Sequence, residues 1–426
     1  MITRYSRVHD SKDDDMRTQM QGLCFFKKTL LASAISLTAL QVNAAGFQLN
    51  VQSATGLGRA FAGDAVIADN ASAMARNTAT MALFDKTSIS TGLNFLKTDI
   101  NIKNANYTGP TAPTGTSSNY DDAGGISIAP NIHVIFPLNE KVAVGFDIYS
   151  NFGTATDFND SFVGSEYGGL TDVKSLNLGL AVSYRLNKQW SVGGGLDIIY
   201  GTGELKRELN VGSKVTVLDA DAAGFGLGFN LGTVFELNEN NRFGLSYHYS
   251  PELKAKGDIT YRGVTAKDDT LYMGLPDMAE FSGYHRIKNT PYAVHYSVQW
   301  IGWSSFDTLD TKAFGTINDY QWKDAMHFSL GGTYYLSGTW TLRAGYMYDQ
   351  SAQDKVTSIS VPDSDRQWFS AGFTYHLSED ANIDVGATYL LGKDVDVDEQ
   401  KTGISKITGT THANAILAAV QYSHQF

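Results

Sequence analysis

The chain of 426 residues has a single cysteine, no long apolar run and fewer basic than acidic side chains. Cys24 precedes the apolar segment 29–40, whereas a lipoprotein cysteine would follow such a segment. A disulfide framework and a lipid anchor are therefore excluded for the residues after it. The apolar segment is shorter than the roughly 20 residues that an α-helix needs to cross hydrocarbon. Any membrane residence must come from strands closed on themselves, which also satisfy every backbone group.

The shortage of basic residues argues against nucleic acid as a partner. Lys and Arg number 33 against 44 Asp and Glu, a net charge of −11. Residues 1–44 carry six of the basic and four of the acidic residues, so the rest of the chain has a net charge of −13. Such a surface suits outer-membrane lipid and lipopolysaccharide, whose phosphates it would face through divalent cations.

The N-terminal region has the pattern of a signal peptide. Lys27 and Lys28 precede the uncharged run 29–40, and the residues that follow, up to Ala44, are small or are tolerated at a signal-peptide cleavage site. We therefore expect residues 1–44 to be removed by cleavage before Ala45. Acidic residues at 13–15 fit a signal peptide badly, which makes Met20 a candidate for the true start.

Alternating strands fill the remainder of the chain. Six short polar turns, each flanked by segments of alternating apolar and polar residues, lie at 137–141, 185–189, 236–241, 287–291, 336–339 and 377–382. Seven longer polar stretches separate the hairpins, at 102–124, 155–170, 209–220, 260–270, 308–323, 350–366 and 392–412. This arrangement predicts an all-β fold, a 14-stranded antiparallel transmembrane β-barrel over residues 87–426, with short turns in the periplasm.

Two further features bear on this prediction. The chain ends on Phe426 after an alternating strand, which is typical of outer-membrane β-barrels. A soluble propeller with blades of similar length is the alternative for such a repeat. An outward apolar face on every strand favours the barrel.

Several predicted strands present almost no side chain to the lumen. Residues 224–232 alternate small inward residues, mostly glycine, with Phe225, Leu227, Phe229 and Leu231 on the other face. The space inside must then be filled by something else. Residues 45–86 precede the first strand, lack its alternation and are rich in small residues, so we predict that they form an N-terminal plug, or hatch.

The predicted hatch also carries a family resemblance. AGFQLN at 45–50, GLGRAFAGDAVIADNASAMARN at 56–77 and MALFD at 81–85 resemble the hatch of the FadL family of outer-membrane long-chain fatty acid transporters. The resemblance continues, in order, through APNIHVIFPLNEK at 129–141 to ISVPDSDRQWFSAGFTYHLSEDANIDVGATYL at 359–390. It implies passive, cofactor-free uptake of long-chain fatty acids by a plugged, fourteen-stranded barrel, which we expect to be a monomer.

In the family, the ligand leaves sideways through a gap at a kink in the third strand. That kink aligns here with Ser150, Asn151, Phe152 and Gly153, where a regular strand is interrupted. The alternative is an ordinary strand end that runs into a loop.

The resemblance also implies residues that hold the ligand. A pair of basic residues binds the carboxylate in the family; the arginine aligns with Arg207, but the lysine aligns near Asn318. The carboxylate is then expected to be held by Arg207 alone, or with help from Lys206 or Lys323. Phe47 matches a hatch phenylalanine that reaches the pocket. The alternative for Arg207 is an arginine at the barrel rim that binds lipopolysaccharide phosphate. The alternative for Phe47 is simple packing within the hatch.

One departure concerns the hatch itself. The family usually has Asn-Pro-Ala where this chain has Asn77, Thr78 and Ala79, so the asparagine is present and the rigid proline is not.

Other motifs point to weaker alternatives. Histidines paired with serines, such as His295 with Ser297, follow one strand face and lack an oxyanion donor, so we do not expect an enzyme. The alternating acidic residues at 394–398 lack the glycine and closing glutamate of a calcium loop, so we expect no metal. Within transport, the alternatives are a channel for other hydrophobic compounds such as aromatic hydrocarbons, and a general porin.

Overall fold

A computed structural model of the protein describes residues 48–426. The predicted signal peptide, its cleavage site and Phe47 lie outside the described residues. The strands are β1 (Ser88–Gly109), β2 (Ala112–Ser117), β3 (Ile126–Pro137), β4 (Val142–Tyr149), β5 (Gly153–Asp157), β6 (Leu170–Arg185), β7 (Trp190–Asn210), β8 (Lys214–Asn238), β9 (Asn241–Tyr249), β10 (Glu252–Tyr261), β11 (Val264–Gly274), β12 (Met278–Arg286), β13 (Tyr292–Ile301), β14 (Thr308–Thr311), β15 (Gly315–Asp319), β16 (Ala325–Tyr335), β17 (Trp340–Asp349), β18 (Arg366–His376), β19 (Ala381–Gly392), β20 (Val395–Lys401) and β21 (Ser405–Gln425).

Helices are few and short in this part of the chain. They are an α-helix, α1 (Ala54–Gly58), and the 3₁₀ helices η1 (Ala71–Ala75), η2 (Thr78–Leu83) and η3 (Trp303–Ser305). Between residues 48 and 426, no helix has the length and apolar character to cross a membrane.

The strands close into a barrel of fourteen antiparallel staves, which confirms the predicted fold. Closure comes from β1 and β21, which pair from Ser88 opposite Gln425 to Thr108 opposite Lys406. Three staves are each made of two strands: β4 with β5, β9 with β10, and β11 with β12. The short strands β2, β14, β15 and β20 extend hairpins beyond the barrel.

Alternation places apolar side chains outside and small or polar ones inside. Phe225 and Leu227 are 68% and 61% exposed on the outer face, whereas Asn230 is buried. A membrane strand needs this arrangement because one face meets lipid and the other meets the lumen.

The predicted long polar stretches differ from simple loops. β7 and β8 continue to a turn at 211–213, and β10 and β11 continue to a turn at 262–263. Pairing between strands satisfies backbone N–H and C=O groups outside the membrane as well as inside it. The polar strands therefore extend as hairpins into water.

Residues 48–84, here called the inner segment, are almost all buried. Their backbone donors use hydroxyl groups on inward faces of the barrel: Gly63 N donates to Ser297 Oγ at 2.9 Å, and Ala65 N donates to Ser282 Oγ at 3.1 Å. Buried amides require such partners where no regular ladder is available.

The lumen glycines make room for the inner segment. A Cβ at Gly193 would lie 2.5 Å from the backbone nitrogen of Ala79, and a Cβ at Gly232 would lie 1.8 Å from Asn77 Oδ1. Any side chain at these positions would therefore displace the inner segment.

Candidate functional site

A cavity of about 770 Å³, here called the outer cavity, lies among the hairpins at one end of the barrel. Its walls come from the β7–β8 hairpin, the loop after β5, residues 317–320, residues 358–360 and the β20–β21 hairpin. Polar and apolar side chains contribute about equally to its lining. The charged residues in its walls are Glu166, Arg207, Arg262, Glu399 and Lys401.

Arg207 is the most deeply placed cation of the outer cavity, and only 8% of it is exposed. Its guanidinium donates to the carbonyl oxygens of Leu170 and Lys206 and to Thr171 Oγ1, the last at 2.6 Å. All three acceptors are neutral. Within residues 48–426 no carboxylate oxygen lies within 4.0 Å of this guanidinium, so its charge is not neutralised by an ion pair.

The predicted helper lysines lie elsewhere. Lys206 Nζ lies 2.6 Å from Glu204 Oε1, and Lys323 Nζ lies 3.6 Å from Asp354 Oδ1; about half of each lysine side chain is exposed. Neither residue lines the outer cavity, whereas Asn318 does. Phe47 lies outside the described residues.

A narrow apolar cavity, here called the deep cavity, adjoins the outer one. The two share Leu205, Leu309 and Tyr320 in their walls. From these residues the deep cavity extends to Phe152 in the third stave. The deep cavity has a volume of only about 30 Å³, so its walls must move apart before an acyl chain can enter. A cation beside an apolar cavity is an arrangement that suits an amphiphile with an anionic head.

The third stave is interrupted where the sequence predicts it. β4 ends with Tyr149 opposite Asn177, and β5 begins with Gly153 opposite Lys174. Three residues, 150–152, therefore face two on β6, which is a one-residue bulge. Phe152 N donates to Ser175 Oγ at 2.9 Å and keeps the stave attached to β6.

The other side of this stave lacks a ladder partner along part of its length, and residues 151–156 are nevertheless buried. The β3–β4 ladder ends at Ile132 opposite Ile148. In the described part of the chain, no ladder joins residues 126–131 of β3 to residues 149–157. Pro130, which has no amide hydrogen, lies in this stretch of β3.

The start of the inner segment lies against this interruption. Leu49 N donates to Asn151 O at 2.7 Å, and Gln52 Nε2 donates to Asn151 Oδ1 at 3.1 Å. Gln48 forms an antiparallel bridge with Phe152. The inner segment and the bulge are thus in direct contact.

Comparison with known proteins identifies the family. The family model described as "Outer membrane protein transport protein (OMPP1/FadL/TodX)" matches residues 35–426. The chain belongs to this family. It is 35% identical to the "Long-chain fatty acid transport protein" of Escherichia coli (strain K12), over 89% of this chain and 95% of the relative.

Solved structures show the same fold. A Pseudomonas aeruginosa FadL homologue has a TM-score of 0.81 at 20% identity and covers 90% of this chain and 100% of its own. The P. putida toluene transporter TodX has a TM-score of 0.67 at 16% identity, with coverages of 90% and 99%. The protein is thus an outer-membrane β-barrel of a transport family.

The departure from the FadL-family Asn-Pro-Ala pattern has a local explanation. Asn77 caps η2, and its Oδ1 accepts from Ala79 N at 3.0 Å, while its Nδ2 donates to Ala65 O at 2.6 Å. Thr78 is the first helical residue, the position where a proline is best tolerated. Because Asn77 supplies the cap, η2 begins at Thr78 without a proline.

An ion network joins the inner segment to the barrel. Arg59 donates to Asp64 at 2.8 Å and to Asp69 at 2.9 Å, and only 2% of Arg59 is exposed. Arg343 of β17 reaches Asp69 at 3.5 Å. Sequence reasoning did not anticipate the contact with the barrel, because Arg343 lies far from the other three members in the chain.

Sequence reasoning also missed Lys401 and Glu399 of the outer cavity. Both lie in the acidic stretch 392–412, where charged residues read as a solvated loop. Their position becomes apparent only when the β20–β21 hairpin packs against Tyr167, whose hydroxyl group donates to Ser405 O at 2.7 Å.

Proposed function

We propose that this protein takes up long-chain fatty acids across the outer membrane by passive diffusion, without a cofactor and without chemical change to the ligand. The carboxylate is held by Arg207 in the outer cavity, and the acyl chain enters the deep cavity. The observation that carries the proposal is a buried guanidinium with only neutral acceptors, in the wall of a cavity that adjoins an apolar one.

The energetics favour an anionic amphiphile. Burial of a charge without a partner costs several kcal/mol, so an anion that reaches Arg207 gains a charge-assisted hydrogen bond. A guanidinium can hold a carboxylate with two parallel bonds. The name of the E. coli relative supports the same ligand class.

The proposed route ends in the wall of the barrel. Phe152 lines the deep cavity, and residues 126–131 of β3 form no ladder with its stave, so the ligand can leave sideways toward lipid. The inner segment acts as the hatch that prevents a straight passage to the periplasm. Transport needs no second subunit, and the outer surface faces lipid and lipopolysaccharide.

Replacement of Arg207 by Ala tests this proposal. We expect oleate binding to weaken by about ten- to hundredfold, because a hydrogen bond to a charged group contributes roughly 1.5–3 kcal/mol. Methyl oleate, which carries no charge, should lose much less. Binding of both ligands to purified protein in detergent measures the difference.

The control is Lys206→Ala, an exposed lysine one residue away that should leave both affinities unchanged. Equal losses for acid and ester in the Arg207 variant would show that the arginine is structural.

A second candidate, transport of monoaromatic hydrocarbons, is suggested by the apolar lining of the deep cavity. Competition of oleate binding by toluene, with no effect of Arg207→Ala, would favour it.

A further inference from the structure

Lys401 is a second cation in the outer cavity without an acidic partner. It is partly buried, and within residues 48–426 no carboxylate oxygen lies within 4.0 Å of its Nζ. Burial lowers the pKa of Lys401, because desolvation disfavours the charged form. An ammonium in this position gains most from an anion that enters the cavity.

Tyr167 positions Lys401. The Lys401 ammonium lies over the Tyr167 ring at 5.4 Å from its centroid, a cation–π contact. Lys401 N also donates to the Tyr167 hydroxyl oxygen at 2.9 Å. Tyr167 therefore positions both the backbone and the side chain of Lys401 in the cavity wall.

Glu399, two residues earlier on β20, is a resident negative charge of the same cavity. It accepts a hydrogen bond from Ile359 N at 2.7 Å. The charged groups that face it are Arg207 from β7 and Lys401 from its own strand, with Glu166 and Arg262 in the same walls and the Tyr320 hydroxyl opposite. Burial raises the pKa of Glu399 to about 7, although the nearby cations oppose the shift.

We propose that Lys401 is the second cation of the ligand headgroup site. We also propose that Glu399 competes with an anionic ligand for the two cations, Arg207 and Lys401. This inference rests on the proposed function. It replaces the expected contribution of Lys206 or Lys323, because those two lysines lie outside the cavity and already have acidic partners. We assign the second cation to the β20–β21 hairpin and not to Arg262, whose guanidinium lies over the Tyr261 ring at 5.0 Å from its centroid. Lys401 is far in sequence from Asn318, with which the family's lysine aligns.

The first test compares lysine variants. Lys401→Met removes the charge and keeps most of the side-chain length, so oleate binding should weaken about tenfold while methyl oleate binding changes less than about twofold. Lys401→Arg should restore oleate binding. The matched controls Lys323→Met and Lys206→Met should bind oleate as the unmodified protein does.

The outcomes separate this inference from the proposed function. If Arg207→Ala weakens oleate binding but Lys401→Met does not, the site has one cation and the inference is wrong. Equal loss of acid and ester in Lys401→Met would also overturn it, because the lysine would then act only in packing. If neither variant affects binding, the proposed function itself fails. Heat-modifiable migration on gels shows that each variant is folded.

The second test uses pH. Below pH 7 Glu399 is protonated and the cavity is more positive; above it Glu399 is ionised and repels an anion. Affinity should therefore fall about tenfold between about pH 6 and about pH 8, the order expected for a like charge a few ångströms away. An alkyl sulfonate is the probe, because its own charge does not change over this range.

Glu399→Gln should abolish this dependence and bind the sulfonate at pH 8 as tightly as the unmodified protein does at pH 6. A pH-independent affinity in the unmodified protein, or an undiminished slope in Glu399→Gln, would contradict the role of Glu399.

Discussion

Replacement of Gly153 by Arg is expected to stop oleate uptake almost completely, while the barrel still assembles and still binds the ligand. Gly153 begins β5 directly after Phe152, where the described chain has no ladder between this stave and residues 126–131 of β3. Its pairing partner on β6 is Lys174, so an added guanidinium also meets a like charge. A charge where an acyl chain must pass into hydrocarbon costs roughly 2.5–3.5 kcal/mol, about a hundredfold in rate.

The measurement is growth on oleate as sole carbon source, in a host that lacks its own transporter, together with uptake of labelled oleate. Oleate binding by the purified variant shows that the outer cavity, which contains Arg207, is intact. Gly153→Ala, with one small added group, should retain uptake.

The matched control makes the same chemical change in the short turn at 336–339. Gly338 lies between β16 and β17, and a Cβ there would meet no atom within 4 Å. Gly338→Arg should therefore grow as the unmodified protein does. Normal growth of Gly153→Arg at equal expression would refute lateral exit at this position and favour a route through the inner segment.

The barrel could be predicted from sequence because the patterns that specify it, strand alternation and short turns, involve residues that are close together in the chain. Strand alternation follows from a wall with lipid on one side, and short turns fix the number of staves. The lumen glycines were also readable: Gly193 and Gly232 predicted a filled interior, and both lie against the inner segment. In each case the pattern is carried by residues adjacent along the chain.

Two further interruptions show what sequence could not decide. The staves β9–β10 and β11–β12 break at 250–251 and 275–277, each beside a proline. These breaks are neighbours, and Asp277 closes them: it accepts from Ser250 N at 2.9 Å and from Tyr247 Oη. Whether an interruption leaves an opening therefore depends on the register of the adjacent stave, which no single strand encodes.

The outer cavity was beyond sequence reasoning for a related reason. Arg207 was expected from the family resemblance, but Lys401 and Glu399 come from a hairpin almost 200 positions away and look like solvated loop charges in the sequence. Only the burial of Arg207 with neutral acceptors separates a binding cation from a surface one.

Replacement of Arg59 by Met should release the inner segment and convert the protein into an ion-conducting pore. Arg59 is the shared partner of Asp64 and Asp69, and it also donates to Ala62 O at 3.1 Å. Removal of one member of a buried ion pair destabilises by about 3–5 kcal/mol. The cationic partners that remain are more distant than Arg59, because Arg76 lies 3.7 Å from Asp64 and Arg343 lies 3.5 Å from Asp69. The barrel ladder does not pass through Arg59, so the wall should persist while the inner segment loses its anchor.

Single-channel conductance in planar bilayers measures the effect. The unmodified protein should pass few small ions, whereas Arg59→Met should show large, stable openings and should sensitise cells to large hydrophilic antibiotics.

The matched control is Lys86→Met, which removes the exposed Lys86–Asp380 pair at 2.5 Å. An exposed pair contributes about 0–1 kcal/mol, so this variant should remain closed. If Arg59→Met stays as closed as the control, the ion network does not hold the hatch. If the unmodified protein already conducts freely, it is a general porin, and the inner segment does not close the barrel.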